Sequence, residues 1–271
     1  MKQNQKVALV TGTSSGIGRA TAIYLSQKGF RVYAGSRTPQ KLLSIQNENI
    51  IPIKLDITDF DNIKESISQI DKIDILINNA GYGLVSTLED VTEEEMFNQF
   101  NINLFGLIRV TKAVLPIMRK ENSGVIINIS SFLGKIGLPL LTLYNASKYA
   151  VEGVTDSLRY ELRDFNIRVH SIMPGFFDTN FARDNLVINQ NTLNPDSPYK
   201  HIVSNLAPQI IEQINSGNSA KDVAKLILKI IDDKNSLARQ TAGDKAKKFI
   251  PMRRELCDED FERRVRDYYN L

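Results

Sequence analysis

Tyr144 and Lys148 stand four residues apart in the stretch "INISSFLGKIGLPLLTLYNASKYAV", and Ser131 precedes Tyr144 by thirteen residues. On a helix, residues four apart share a face, so a phenol and an ammonium would lie together. The free phenol, with a pKa near 10, holds its proton too tightly for easy turnover at neutral pH. A positive charge within about 4–6 Å lowers such a pKa by roughly 1–3 units. A hydroxyl such as that of Ser131 can hold a substrate oxygen while negative charge builds on it. These residue types suit proton delivery to the alkoxide that forms when a hydride reaches a ketone. Plainer readings exist for each. Tyr-x-x-x-Lys also occurs as a surface pair on helices, and Ser130-Ser131 could simply end a strand.

The elements that must position them follow from hydrophobic periodicity. Short apolar, β-branched runs at 7–10, 31–34, 51–55, 74–77, 125–129 and 169–173 read as strands. Most are continuous rather than alternating, as expected for strands buried on both faces. Helical patterns fill the gaps at 16–27, 39–46, 61–70, 93–119 and 144–164, with Thr58, Asp59 and Asp61 as possible caps of the third. Repeated β-α units imply an α/β fold, a doubly wound parallel sheet of the Rossmann type, in a single domain over residues 1–271. Ligands of such sheets lie beyond the carboxyl ends of the strands. From about 184 to 219 the pattern fades into Asn, Pro and Ser, and residues 182–271 read as a substrate-loop and C-terminal extension of that domain. Within it, a helix returns at 220–232 with Ser219 as cap, a last strand fits 238–242, and a charged helix fits 258–269.

The first strand runs into three glycines in "VALVTGTSSGIGRATAIYL". Glycine weakens strand and helix alike. It is useful here only if the turn needs positive φ or a ligand must approach the backbone closely. The helix that follows aims free N–H groups and the positive end of its dipole at that point, which favours a phosphate. The spacing Gly12-x-x-x-Gly16-x-Gly18 differs from Gly-x-Gly-x-x-Gly, and no Lys-Ser/Thr follows as in a Walker loop.

Thr11-Gly12-Thr13-Ser14-Ser15-Gly16-Ile17-Gly18, together with Asn78-Asn79-Ala80-Gly81 after the fourth strand, resembles the cofactor motifs of the short-chain dehydrogenase/reductase family, in its shorter-subunit branch. The likeness runs from about residue 6 to 180. It implies a hydride transfer between a nicotinamide cofactor and a carbonyl or secondary alcohol. It makes Ser131, Tyr144 and Lys148 the catalytic trio, with Asn103 of "NINLFG" anchoring a water that links Lys148 to solvent. Lys148 would also hold the nicotinamide ribose. The resemblance further assigns cofactor contacts to Gly12, Ser14, Ser15, Gly16, Ile17, Gly18, Ser36, Arg37, Asp56, Ile57, Asn78, Ala80, Gly81, Tyr144, Lys148, Pro174, Gly175 and Thr179. In "VYAGSRTP", Ser36 stands where an NAD enzyme of this type carries an acid, and Arg37 follows. A guanidinium there suits a 2′-phosphate, so the cofactor is expected to be NADP(H).

Tyr82, Leu133, Leu138, Leu143, Phe176, Phe177 and Phe181 are candidate pocket residues, and their apolar character suits a lipophilic carbonyl or alcohol. The ending "GDKAKKFIPMRRELCDEDFERRVRDYY" resembles steroid- and retinol-dehydrogenase-like members. A mobile lid over the pocket is expected between 184 and 219. The resemblance also suggests a homodimer or homotetramer formed through the 93–119 and 144–164 helices.

Composition narrows the alternatives. A net charge of +3 over 271 residues argues against nucleic-acid binding. The single cysteine, Cys257, excludes an intrachain disulfide and fits a reducing, cytoplasmic setting. His170 and His201 lack metal-ligand spacing, so no metal is expected. No run of 18 apolar residues suggests a membrane span, and the polar start shows no signal-peptide pattern. The rival readings are a dinucleotide sensor without catalysis, which would not need Tyr144 and Lys148, and a scaffold using the basic cluster Lys245, Lys247, Lys248, Arg253 and Arg254.

Overall fold

All five residues of β1 (Val7–Thr11) are buried, as a strand covered on both faces requires. The computed structural model describes residues 5–179 and 185–271. A glycine turn leads from β1 to α1 (Gly16–Gln27) and β2 (Arg31–Ser36). A 3-10 turn (Pro39–Ile45), β3 (Ile50–Lys54), α2 (Phe60–Ser68), β4 (Ile75–Asn78) and the short β5 (Gly83–Val85) follow. Next come α3 (Glu93–Phe100), a π-helical segment (Asn101–Gly106), α4 (Leu107–Lys120) and β6 (Gly124–Ile129). A single 3-10 turn (Phe132–Gly134), α5 (Thr142–Glu161) and β7 (Ile167–Pro174) complete the part that matches the sequence pattern. The remainder adds β8 (Phe177–Asp178), β9 (Leu186–Ile188), α6 (Lys200–Asn215), β10 (Asn218–Ser219), α7 (Ala220–Asp232), β11 (Arg239–Ala242), α8 (Asp244–Glu255) and α9 (Asp258–Tyr269).

The main sheet is wholly parallel, in the order β11-β7-β6-β4-β1-β2-β3. Winding starts at β1 and proceeds outward in both directions, so the expected doubly wound α/β sheet is present. The switch between β1 and β4 opens a crevice at their carboxyl ends, where such folds bind ligands. One face is covered by Ala22 and Leu25 of α1 with Val223, Ile227 and Ile230 of α7. The other is covered by Ile63 and Ile67 of α2 with Val110, Val114 and Met118 of α4. A third apolar cluster lies beyond the strand ends, where α6, α8 and α9 meet the 3-10 turn after β6.

Three expectations change. The 39–46 stretch is 3-10 rather than α-helical, with Pro39 at its start and Arg19 bonded to the Lys41 carbonyl and Ser44. The 93–119 helix is interrupted by the π-helical segment that carries Asn103. Together, α3, that segment and α4 make a run of 28 residues, long and apolar enough by length and composition to cross a membrane. Val110, Val114 and Met118 bury its face against the sheet, which makes it a core helix. The faded 184–219 region holds β9, which pairs with β5, and the four-turn α6, which buries Val203, Leu206, Ile210 and Ile214. Residues 1–4, along with Phe181 of the expected pocket and Asp184 at the start of the expected lid, lie outside the described residues.

Candidate active site

The glycine turn is built from two close approaches. Gly12 has φ +68°, and a Cβ there would sit 2.7 Å from Ala80 Cα. Gly18 lies so near the Gly12 carbonyl that a Cβ would come within 2.4 Å of its oxygen. Thr11 Oγ1 locks the two motifs together, accepting hydrogen bonds from the backbone amides of Asn79 and Ala80, each at 3.0 Å. Asn79 Nδ2 returns bonds to the Thr11 and Gly12 carbonyls. The turn after β1 and the loop after β4 therefore form one rigid wall of the cleft.

Gly12, Ser14, Ser15, Gly16 and Ile17 line that cleft, as do Ser36, Arg37, Ile57, Ala80 and Gly81. Ser131, Tyr144, Lys148, Pro174, Gly175 and Thr179 complete the sequence-expected set within it. Ser15, the N-cap of α1, makes no side-chain cap bond, and the first turn holds no acid. The amides and dipole at this helix end are thus not neutralised by a local carboxylate, and they face a glycine-lined floor. Across the mouth, Gly16 has φ +55°, and a Cβ there would only touch Thr179, at 3.4 Å, so it is the backbone conformation and not lack of space that favours glycine. At the far end, buried Ser36 accepts the Thr38 amide, and exposed Arg37 and Lys41 line the rim. A diphosphate at the helix end and a dinucleotide stretched toward Arg37 fit these features.

Four assigned residues do not line the cleft. Gly18 packs beneath the turn rather than lining the cleft, because its place is filled by the Gly12 carbonyl and Asn79. Asn78 is turned into the core, where Nδ2 donates to Thr111 and Asn128, and Asn79 lines the cleft instead. The Asp56 carboxylate caps its own loop by accepting from Thr58 N and Oγ1, leaving Leu55 and Ile57 on the cleft wall. Asn103 gives its amide to the Tyr82 loop, with Nδ2 donating to the Tyr82 carbonyl and Ser147, and Oδ1 accepting from Tyr82 N. Gly81 keeps the space between Asn103 and Lys148 clear. A Cβ there would lie 3.1 Å from Asn103 Oδ1 and 3.8 Å from Lys148 Nζ. The π-helical segment brings Asn103 to that gap.

The Ser131 hydroxyl lies beside the Tyr144 phenol, whose pKa it lowers, and Ser131 Oγ accepts the Leu133 amide at 3.1 Å. Ser130, by contrast, buries an Oγ that lacks a partner among the described residues. The geometry thus brings Ser131, not Ser130, to the phenol. Lys148 is buried one turn below Tyr144, its Nζ 5.7 Å from the ring centre and donating to the Ile129 carbonyl at 2.9 Å.

The tyrosine pKa runs opposite to the sequence expectation in the protein alone. Burial pushes it up to about 12, and the Ser131 hydrogen bond only partly offsets this. Burial also pulls Lys148 down to about 8, with Glu152 opposing the fall. Desolvation disfavours both charged forms, which the sequence could not weigh. Tyr144 therefore rests as the neutral phenol.

Tyr82, Leu133, Phe176 and Phe177, expected as pocket residues, line the cleft. Leu138 is buried in the neighbouring apolar cluster and does not line the cleft, and Leu143 is also absent from the lining, while Leu141 contributes to it. Sequence reasoning missed Leu186 of β9 and Ile210 and Ile214 of α6. For Ile210 and Ile214 the apolar spacing in "IVSNLAPQIIEQI" is the available signal, obscured by Asn205 and Pro208. His170 is a buried strand residue bonded to the Leu237 carbonyl, and burial depresses its pKa.

The family model for short chain dehydrogenases matches residues 6–187. A 3-ketodihydrosphingosine reductase from Bacteroides thetaiotaomicron is 39% identical over 246 residues, covering 88% of each chain. A short chain dehydrogenase from Burkholderia cenocepacia in complex with NADP shares 25% identity over 99% of both chains, with a TM-score of 0.77. A Burkholderia phymatum short chain dehydrogenase/reductase in complex with NAD is equally similar, with 25% identity, a TM-score of 0.77, and coverage of 97% of this chain and 96% of the other. The chain belongs to the short-chain dehydrogenase/reductase family. It is an NAD(P)-dependent oxidoreductase.

Proposed function

We propose that the protein is an NADPH-dependent ketone reductase acting on a lipophilic, long-chain carbonyl compound. The observation that carries this reading is the lining beyond Tyr144: Leu133, Leu141, Phe176, Leu186, Ile210 and Ile214 form an apolar wall. The Bacteroides relative, named for a long-chain keto substrate, supports the same class. Among the described lining residues the charged side chains are Arg37, Lys41 and Lys148, all cationic.

The nicotinamide cofactor, when bound, supplies the hydride. Ser131 holds the ketone oxygen and polarises it, and Tyr144 donates its proton to that oxygen as charge develops. Lys148, held by the Ile129 carbonyl, offsets the negative charge left on the phenol. Asn103 braces the Tyr82 loop beside Lys148. Apolar side chains from α6 and β9 keep water from the reacting carbon.

A series of ketones of increasing chain length tests the substrate class. Each added methylene buried is worth about 0.8 kcal/mol, so kcat/KM should rise about fourfold per carbon until the cleft ends. Leu186→Ala should erase roughly 10- to 50-fold for long chains and little for short ones. A flat series, or equal losses at all lengths, would remove the reading. A steroid ketone, retinal and an amino-ketone belong in the same panel as competitors.

NADP(H) preference rests on Ser36 bringing no charge and Arg37 standing at the rim. A hydrogen bond to a charged group contributes about 1.5–3 kcal/mol, or roughly 10- to 150-fold. Arg37→Ala should lose that factor in kcat/KM for NADPH and little for NADH. An equal preference in the wild type would contradict the assignment. Self-association is proposed through the exposed apolar residues Phe97, Phe105, Ile108 and Tyr149 on α3–α5 and the π-helical segment. Sedimentation of wild type and Phe97→Glu tests it. A monomeric wild type would end that proposal.

A further inference from the structure

Tyr144, Lys148, Glu152 and Asp156 follow one another at four-residue steps along α5 and therefore share a face of the helix. The first two are the proposed acid and its lysine. The third has no part in the chemistry above, yet it is 2% exposed. A buried carboxylate is costly unless it is paired. Glu152 Oε2 is met by Arg239 Nε at 2.5 Å and by Lys135 Nζ at 3.8 Å, whereas buried Oε1 has no partner among the described residues. Arg239 also meets Asp156.

The three partners come from three elements around the site. Glu152 belongs to the helix of Tyr144 and Lys148. Lys135 directly follows the 3-10 turn that Ser131 caps. Arg239 opens β11 at the sheet edge, beside Ser171 of β7. The backbone between them is tight, since a Cβ on Gly134 would lie 3.0 Å from the Lys148 carbonyl. One carboxylate thus ties the serine's segment to the lysine's helix.

We propose that Glu152 is a positioning residue for the reaction, whose buried negative charge keeps Lys148 protonated and whose bonds to Arg239 and Lys135 fix that charge one turn below it. This rests on the reading of Tyr144 and Lys148 as the proton-transfer pair. Burial alone drives Lys148 toward the neutral amine, and the Glu152 charge is the opposing influence. Tyr144 on the same face is neutral at working pH, Lys135 and Arg239 oppose the lysine's charge, and Asp156 is occupied by Arg239. A neutral Lys148 could not offset the phenolate left after proton donation. Reduction should accordingly fall as pH rises through the lysine's pKa near 8.

Two readouts test the proposal. The first is an NMR titration of the Lys148 amine in cofactor-free protein. The second is the alkaline limb of kcat against pH for ketone reduction. Glu152→Gln keeps the shape but removes the charge, and it should lower both midpoints by about one pH unit. Glu152→Asp keeps the charge but shortens the arm, and it should lie nearer wild type. A purely structural role would give the reverse order, with Gln tolerated and Asp damaging, and that order would overturn the proposal. So would a Glu152→Gln titration that superimposes on wild type. Should Glu152→Gln not fold, Arg239→Gln decides. Removing that cation leaves the Glu152 charge less compensated and should raise the Lys148 midpoint, and an unchanged or lower midpoint would overturn the proposal. Because the amine titration needs no turnover, it remains decisive even if Tyr144 proves not to be the acid.

Discussion

Tyr144→Phe should lower kcat for ketone reduction by about 100- to 10,000-fold, the range typical of lost general acid catalysis. The substitution removes one oxygen and keeps the ring, so the packing around it in the apolar cluster should persist. Thermal unfolding should be close to wild type. Cofactor affinity should change little, because the glycine turn and Arg37 lie elsewhere in the cleft. A pH profile adds a check on the state of the phenol. With its pKa raised by burial to about 12, Tyr144 is protonated throughout the working range. Reduction should therefore show no alkaline loss from the tyrosine itself, and the limb near 8 belongs to Lys148. Alcohol oxidation needs the phenolate, and its rate should climb with pH across the same range. Near-normal kcat in Tyr144→Phe would mean that another group delivers the proton.

Gly12→Ala should weaken cofactor binding by about 100-fold or more, for two separable reasons. The φ of +68° strains any residue with a Cβ, at a cost of roughly 1–2 kcal/mol. The new methyl would also press on Ala80 Cα at 2.7 Å. That contact cannot relax cheaply, because Thr11 Oγ1 holds the amides of Asn79 and Ala80 in place. Gly29→Ala separates the two causes. Gly29 has a φ of +85° but nothing within 4 Å of a Cβ. It should lower stability by the strain alone and leave the cofactor dissociation constant unchanged. Calorimetry on both variants reads this directly. Equal cofactor affinity in Gly12→Ala and wild type would show that the turn does not contact the cofactor.

The parts of the fold legible in the sequence are those whose signal is local. Continuous β-branched runs such as "VALV" and "VIINI" mark doubly covered strands. Asp59 caps α2 and Ser219 caps α7, as their side chains suggested. The glycine turn was legible because few residues other than glycine tolerate its backbone. What the sequence left unread depends on distant partners. Helix α6 carries Pro208 and several asparagines, and its inner face gains meaning only from the cluster it packs against. The π-bulge at Asn103 has no local signature and serves the Tyr82 loop across the cleft. Asn78 and Asp56 match motif positions, but the sequence does not show that Asn78 Nδ2 donates to Thr111 and Asn128 or that Asp56 Oδ1 accepts from Thr58. The direction of the Tyr144 shift depends on burial, which neighbours in sequence do not set. Glu152 is invisible for the same reason, since Lys135 and Arg239 reach it from 17 residues before and 87 residues after in the chain.

Transfer of deuterium from NADPH labelled at its transferable position into a long-chain ketone is the most direct measurement. Mass spectrometry of the alcohol product reads the outcome. The wild type is expected to place a single deuterium on the carbinol carbon of the long-chain alcohol. It should act faster on long chains than on short ones, and Tyr144→Phe should be slower by about 100-fold or more. If NADPH binds and no ketone of the series acquires deuterium, or if Tyr144→Phe transfers it as fast as wild type, the cleft does not perform the proposed reduction.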